Sequence, residues 1–311
     1  MYSELKHFYL AVLIAAFGVV SCNRLHPQEQ QRIIFSVNGF QDFGEDGAMT
    51  RTSLKNGTDF IWTANDTVGI YPNTGGQVYF AMTAGAGTKY ASFDGGGWDF
   101  KHSAVYYSYY PFVGDIYLDR NHIPVSYLGQ HQPTATDIEH ISPFDFMATP
   151  GTSANDGNLL FSYSHLNCLI RVTATLPAGT YTKMSITSPD EDFTTKGYYD
   201  LTSGSPSIIP EEKSNLLSIT LGNITLSGTG TLVVYLMSAP VDLQGKEITV
   251  CFSTLSGTKY TQTKTPSRKY EAETIGGLTC ADLVRSGDYS NGVGVDDSAM
   301  EDDDETLTIH Q

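Results

Sequence analysis

Short runs of alternating apolar and polar residues, punctuated by Gly, Asn, Ser and Pro, fill the chain from residue 33 to residue 263. Alternation with period two places successive side chains on opposite faces of a pleat, so each run predicts a half-buried β-strand. The first covers residues 33–37 (IIFSV). In residues 58–72 (TDFIWTANDTVGIYP), Phe60 and Trp62 alternate with polar neighbours, Ala64-Asn65-Asp66 makes a turn, and Val68, Ile70 and Tyr71 resume the pattern before Pro72. A hairpin, or a strand with a sharp corner, is expected there. Further strands are predicted at 78–83, 90–93, 104–111, 116–118 and 123–125 and, beyond a long loop over 129–154, at 159–163 and 168–176. A second series follows at 183–187, 197–201, 216–221, 231–237, 247–254 and 258–263, spaced as in a sandwich. No stretch reads as a long amphipathic helix, and no short-period repeat points to a solenoid or propeller. The expected class is all-β, with one body over 33–160 and a second over 161–285.

The two ends of the chain depart from this pattern. Residues 8–20 (FYLAVLIAAFGVV) are apolar apart from one glycine, follow Lys6 and His7, and precede Ser21 and Cys22. That is the anatomy of an export signal, and the run is shorter than the ~20 residues a membrane-spanning helix needs. The ending Val19-Val20-Ser21-Cys22 matches a bacterial lipobox, which makes residues 1–21 a signal peptide and Cys22 the lipidation site. An ordinary secretory signal that happens to end at a cysteine is the alternative. With acyl chains on Cys22, each buried methylene contributes about 0.8 kcal/mol to anchoring, and residues 22–32 read as a tether. At the other end, residues 286–311 form an acidic tail. Its run 296–305 (DDSAMEDDDE) self-repels into a solvated, extended form, and residues 306–310 (TLTIH) alternate as a short strand or fray as a terminus.

Composition narrows the function. A net charge of −16 leaves no basic patch to displace counterions, which argues against nucleic acid as a partner. Of the four cysteines, Cys168, Cys251 and Cys280 remain beside Cys22, an odd set without metal-ligand spacing. Cys168 and Cys251 lie in apolar strand-like runs, so buried free thiols are expected rather than disulfides.

Catalytic patterns are missing. There is no HExxH, GxSxG, P-loop or GxGxxG. His122, His131 and His140 share one irregular region with Asp137 and Glu139, the set from which a metal site could be assembled, and a catalytic cleft would need His131, His140 and a carboxylate to converge; loop histidines are the simpler reading. Cys168 and His165 are near in sequence, but no third group orients them. Neither cofactor nor metal is expected, nor enzymatic activity. In residues 104–112 (AVYYSYYPF) the alternation places Tyr106, Ser108 and Tyr110 on one face and Tyr107 and Tyr109 on the other. An exposed face there, or Trp98, would suit glycan stacking, whereas packing would make these ordinary sandwich tyrosines.

Taken in order, several of these segments resemble one family. The lipobox at Cys22, Thr50-Arg51-Thr52, residues 62–71 (WTANDTVGIY), Tyr109-Tyr110-Pro111-Phe112 and Asp145-Phe146-Met147 are similar to Bacteroidetes fimbrillin-like lipoproteins, the type V pilins and their accessory subunits. So are residues 161–172 (FSYSHLNCLIRV), the run from Val234-Tyr235 to Ala239-Pro240, and Arg268-Lys269-Tyr270. The resemblance implies two transthyretin-like β-sandwich domains in series and a structural or adhesive role in a surface fimbrium. It implies a palmitate-type lipid on Cys22 at the outer membrane and an arginine-specific protease that removes an N-terminal segment. Other fimbrial subunits then fill the vacated groove with an extended strand, and a host or bacterial surface ligand is the target of adhesion. Mapped onto this chain, residues 33–37 are the removable strand and Arg51 is the cleavage site, with Arg32 as competitor. Leu307 and Ile309 are the groove-filling residues of a donor strand. The rival role is a surface lipoprotein that binds glycan through Tyr107, Tyr109 or Trp98.

Overall fold

The computed structural model describes residues 32–37, 41–42, 61–96, 100–101, 103–114, 117–153 and 158–286. The first half of the chain forms β1 (Arg32–Val37), β2 (Gln41–Asp42), β3 (Thr67–Pro72), β4 (Val78–Ala84), β5 (Tyr90–Asp94), β6 (Val105–Tyr110), β7 (Ile123–Ser126), β8 (His131–Gln132), β9 (Met147–Ala148), β10 (Thr152–Ser153) and β11 (Asn158–His165). The second half forms β12 (Cys168–Leu176), β13 (Gly179–Thr187), β14 (Phe193–Tyr199), β15 (Ile209–Ser214), β16 (Leu216–Leu226), β17 (Gly230–Ser238), β18 (Ile248–Thr254), β19 (Lys259–Lys264), β20 (Thr274–Cys280) and β21 (Val284–Arg285). The chain is all-β, with a 3₁₀ turn over Glu139–Phe144.

Eight strands build the first sheet, in the order β10-β6-β3-β4-β5-β1-β11-β9, with β9 also pairing β6. The chain leaves this sheet between His165 and Cys168 and enters a four-stranded one, β17-β12-β20-β2. A six-stranded sheet, β21-β19-β18-β13-β16-β8, faces it, and β15-β14-β7 form a fourth sheet.

Alternation explains the facing pair. In β12, Val172, Ala174 and Leu176 are buried while Arg171, Thr173 and Thr175 are not. In β16, Leu217, Ile219 and Leu221 point inward, against Met184 and Ile186 of β13 and Val250 and Phe252 of β18. Each such aliphatic side chain contributes about 1.5–3 kcal/mol when fully buried. A second core, around Phe35, Trp62, Phe93, Phe161 and Tyr163, fills the first sheet's inner face. A third lies between the two halves, where Tyr71 and Tyr109 meet Leu169, Tyr199, Met237 and Ile275.

Three sequence expectations are corrected. Tyr117 and Leu118 lie in no strand, and Tyr117 is 88% exposed. Residues 61–63 do not continue as a strand either: Trp62 plugs the core, its backbone bonded to Gly87 and Thr88, Asn65 turns the chain at φ 80°, and the strand begins at Thr67. The expected loop over 129–154 carries β8, β9, β10 and the 3₁₀ turn, with Gln130, Gln132, Asp145, Met147 and Thr149 buried. Buried backbone groups need partners, which is why this segment is pinned in short ladders. Cys168, Cys251 and Cys280 are all buried, with no disulfide among the three. Among the described residues no helix is long and apolar enough to cross a membrane.

Candidate functional site

The strand expected to be removable occupies an interior position. All six residues of β1 pair in parallel with β11, from Arg32 opposite Asn158 to Val37 opposite Tyr163. On its other side only Phe35 and Ser36 pair with β5, antiparallel to Ala91 and Tyr90. Alternation sends Phe35 and Val37 into the core, 0% and 3% exposed. The Phe35 ring lies 4.5 Å from Phe93, 5.2 Å from Phe161 and 6.2 Å from Tyr163. The outer face carries Ile34 opposite Leu160, both exposed, and Ser36, whose hydroxyl lies 3.2 Å from that of Ser162. Four positions after the end of β1, Gln41 and then Asp42 pair in parallel with Thr274 and Ile275 of β20. One N-terminal segment therefore serves both halves of the molecule, and removing it would open an aromatic-walled slot in the first sheet.

Residues 62–71 build the floor of that slot. The Trp62 ring sits edge-on to Phe93, Tyr110 and Tyr163 at 5.1, 5.6 and 5.7 Å. Its indole donates to the Lys89 carbonyl at 3.2 Å. Asp66 ties the turn, accepting from the Thr63 amide at 2.6 Å, the Thr63 hydroxyl at 2.9 Å and the Tyr110 hydroxyl at 3.1 Å. Burial, with Asp66 and Asp145 nearby, pushes the Tyr110 phenol well above its ordinary range. Sequence pattern had marked Trp62 and the Asn65 turn, but not Phe93, Phe161 or Tyr163 as slot walls. Their parity within β5 and β11 was the signal available.

A second buried polar group sits where the chain changes sheets. Asp145 and His165, both buried, meet at 2.8 Å through Nδ1 of the imidazole, and Asn167 donates to the same carboxylate at 3.2 Å. Tyr127 donates in turn to the Asn167 carbonyl oxygen. His165 thus faces Asp145, while burial pushes the Cys168 thiol up to about 12 and holds it protonated. The Cys168 sulfur lies 3.5 Å from both the Ser238 and the Ala239 carbonyl oxygens, either of which can accept from the thiol.

The remaining candidates separate. His131 bonds the Thr220 hydroxyl at 2.9 Å, and His140 meets the Tyr235 carbonyl at 2.9 Å, its pKa lowered by burial. Among the described residues no group of three or more His, Cys, Asp or Glu is placed to hold a metal. Tyr109 is fully buried, its phenol pushed up to about 12 by burial, and half-buried Tyr107 lies under the Arg120 guanidinium at 5.6 Å. That strand offers no open aromatic face, because both of its sides pack. Arg32 opens β1. Cys22, Arg51, Trp98, Leu307 and Ile309 lie outside the described residues.

Packed, mainly antiparallel sheets with an N-terminal strand held inside one of them define an all-β architecture, and one solved structure shares the fold. A Bacteroides ovatus protein ascribed to cell adhesion aligns over 82% of this chain and 95% of its own at 14% identity, with a TM-score of 0.51, a likeness of fold. A fimbrial protein of the same species covers 81% of this chain and 49% of its own at 14% identity, TM-score 0.37. The C-terminally truncated tip fimbrial protein Mfa3 of Porphyromonas gingivalis covers 77% and 91% at 9% identity, TM-score 0.34. Scores of the last two sizes carry no weight alone. Each of the three is described as a fimbrial or cell-adhesion protein of its own organism, and the first shows the likeness of fold. No family model and no curated protein matches the chain.

Proposed function

We propose that this protein is a structural or adhesive, non-enzymatic subunit of a cell-surface fimbrium. It is exported as a lipoprotein anchored to the outer membrane through Cys22 and assembled with other fimbrial subunits by strand exchange. The observation that carries the reading is the position of β1, a six-residue strand near the start of the chain, bonded to β11 and β5 with Phe35 and Val37 in the core. A cut after Arg51 by an arginine-specific protease would free the segment that holds β1 and β2. The exposed sheet edges would then gain main-chain hydrogen bonds from an incoming strand.

Within this reading the chain divides into two transthyretin-like domains at the passage from His165 to Cys168. Residues 306–310 act as the donor, with Leu307 and Ile309 two positions apart, as are the Phe35 and Val37 they would replace in a neighbour. The test is the N-terminal residue and intact mass of the mature protein taken from its native cell surface. A start at Thr52 without lipid supports a polymerising subunit. A start at acylated Cys22 with residues 33–37 retained supports an anchor that does not exchange this strand. A mature chain with neither start, absent from purified fimbriae, overturns the proposal.

A further inference from the structure

A half-open cavity of about 360 Å³ lies at the end of the molecule formed by the β12–β13 turn and the β18–β19 hairpin. Its lining is Ala178, Gly179, Thr180, Thr254, Leu255, Ser256, Thr258 and Tyr260. No charged residue is among them, in a chain of net charge −16. The walls are held firmly. Tyr181 is buried and donates to the Pro177 carbonyl at 2.9 Å, which fixes the turn on one side. The Leu255 amide donates to the Thr180 carbonyl at 2.8 Å, joining the two walls. Within the hairpin, the Thr254 hydroxyl meets the Ser256 hydroxyl at 2.9 Å and accepts from the Thr258 amide at 3.1 Å. Half-buried Tyr260 packs one side of its ring on the core, 6.2 Å from Tyr181, and Leu255 is 70% exposed at the rim.

We infer that this cavity binds a neutral sugar ring. A pyranose pairs an apolar face of C–H groups with a rim of hydroxyls. The cavity offers a tyrosine ring and a leucine for the first and, for the second, the Ser256 and Thr258 hydroxyls, which keep acceptor lone pairs beyond their contacts with Thr254 and with each other, whereas the Thr254 and Thr180 hydroxyls are engaged within the protein. Its volume falls at the small end of the range for ligand sites, about 300–1,000 Å³. The absence of lining charge excludes recognition of acidic sugars through an ion pair. This surface is separate from the β1 slot, so the inference stands independently of strand exchange and would supply the adhesive contact of a surface protein.

Saturation-transfer NMR of the full chain against methyl glycosides of glucose, galactose, mannose, fucose, N-acetylglucosamine and N-acetylgalactosamine tests it. Transfer to the ring protons of at least one is expected. Tyr260→Ala should then weaken binding about tenfold, the loss of one stacked ring. Tyr260→Phe keeps the ring and should bind within about threefold of the parent, which guards against a variant that merely misfolds. Two results would overturn the inference: no transfer from any of the six sugars, or binding that survives Tyr260→Ala in a folded variant. The strand-exchange reading is scored separately by the mature N-terminus.

Discussion

Gly69 lies directly beneath the ring of its cross-strand partner Tyr109, and a Cβ built there would stand 2.0 Å from Tyr109 Cε1. Tyr109 cannot swing away, because its hydroxyl donates to Gln77 Oε1 at 2.5 Å and accepts from the Val113 amide at 3.0 Å. Gly69→Ala should therefore cost about 2–3 kcal/mol by overpacking. Gly228→Ala, with nothing within 4 Å of the added carbon, should stay within about 0.5 kcal/mol of the parent. Urea midpoints of the two variants measure the contrast. Buried phenols make a second prediction. Tyr109 and Tyr181 are both pushed up to about 12 by burial from an ordinary value of 10.0. The folded state holds these protons longer than the unfolded chain, so their contribution to stability is complete below pH ~10 and drains away as pH rises towards about 12. Thermal melts across that window should show a falling midpoint, whereas melts from neutral pH to about 9 should not show this phenolic loss.

Gln130 and Gln132 act on the outer edge of β17 as a strand would. Gln130 donates to the Met237 carbonyl at 2.9 Å and accepts from the Met237 amide at 2.8 Å. Gln132 donates to the Val233 carbonyl at 3.0 Å and accepts from the Tyr235 amide at 3.1 Å. Two side chains thus satisfy an edge that would otherwise invite pairing with another chain. Gln132→Leu leaves the half-buried Tyr235 amide and Val233 carbonyl without their partner and should cost about 1–2 kcal/mol. Paired with Gln130→Leu, it should also raise the dimer and aggregate fractions on size-exclusion chromatography. β15 guards its own edge differently, with Pro210, Glu211, Glu212 and Lys213 all exposed. These edges also mark what pattern reading reaches. The alternating strands β12, β16 and β17 were legible because one face meets a core and the other meets solvent or a neighbour. β15 (IPEEKS) was not legible because it buries almost nothing. β20 (TIGGLTC) was not because its paired glycines, one lying under the Tyr270 ring, erase the alternation. Residues 33–37 announced a strand, but their partner in β11 is set by tertiary packing that no local pattern encodes.

At the scale of the molecule, the third core joins β3 and β6 to β12, β17 and β20, so neither half buries its apolar surface alone. Calorimetry should accordingly record one cooperative transition rather than two. The Asp145–His165 pair lies in the same region, and His165→Ala would leave a buried carboxylate without its imidazole, at a cost of about 3–5 kcal/mol. That variant should lower the midpoint of the whole transition, which the same scan would read. The parallel pairing of β1 with β11 has a further consequence, for time rather than for energy. The Ser36–Ser162 contact spans 126 positions, and before β11 exists β1 has only its two-residue match to β5. Contacts this distant in sequence close slowly. In a chain made from its N-terminus, Phe35 of β1 has only β5 and Phe93 to lean on until nearly half of the remaining sequence has emerged, so the first strand of this sheet to be synthesised is fully seated only when the last, β11, arrives.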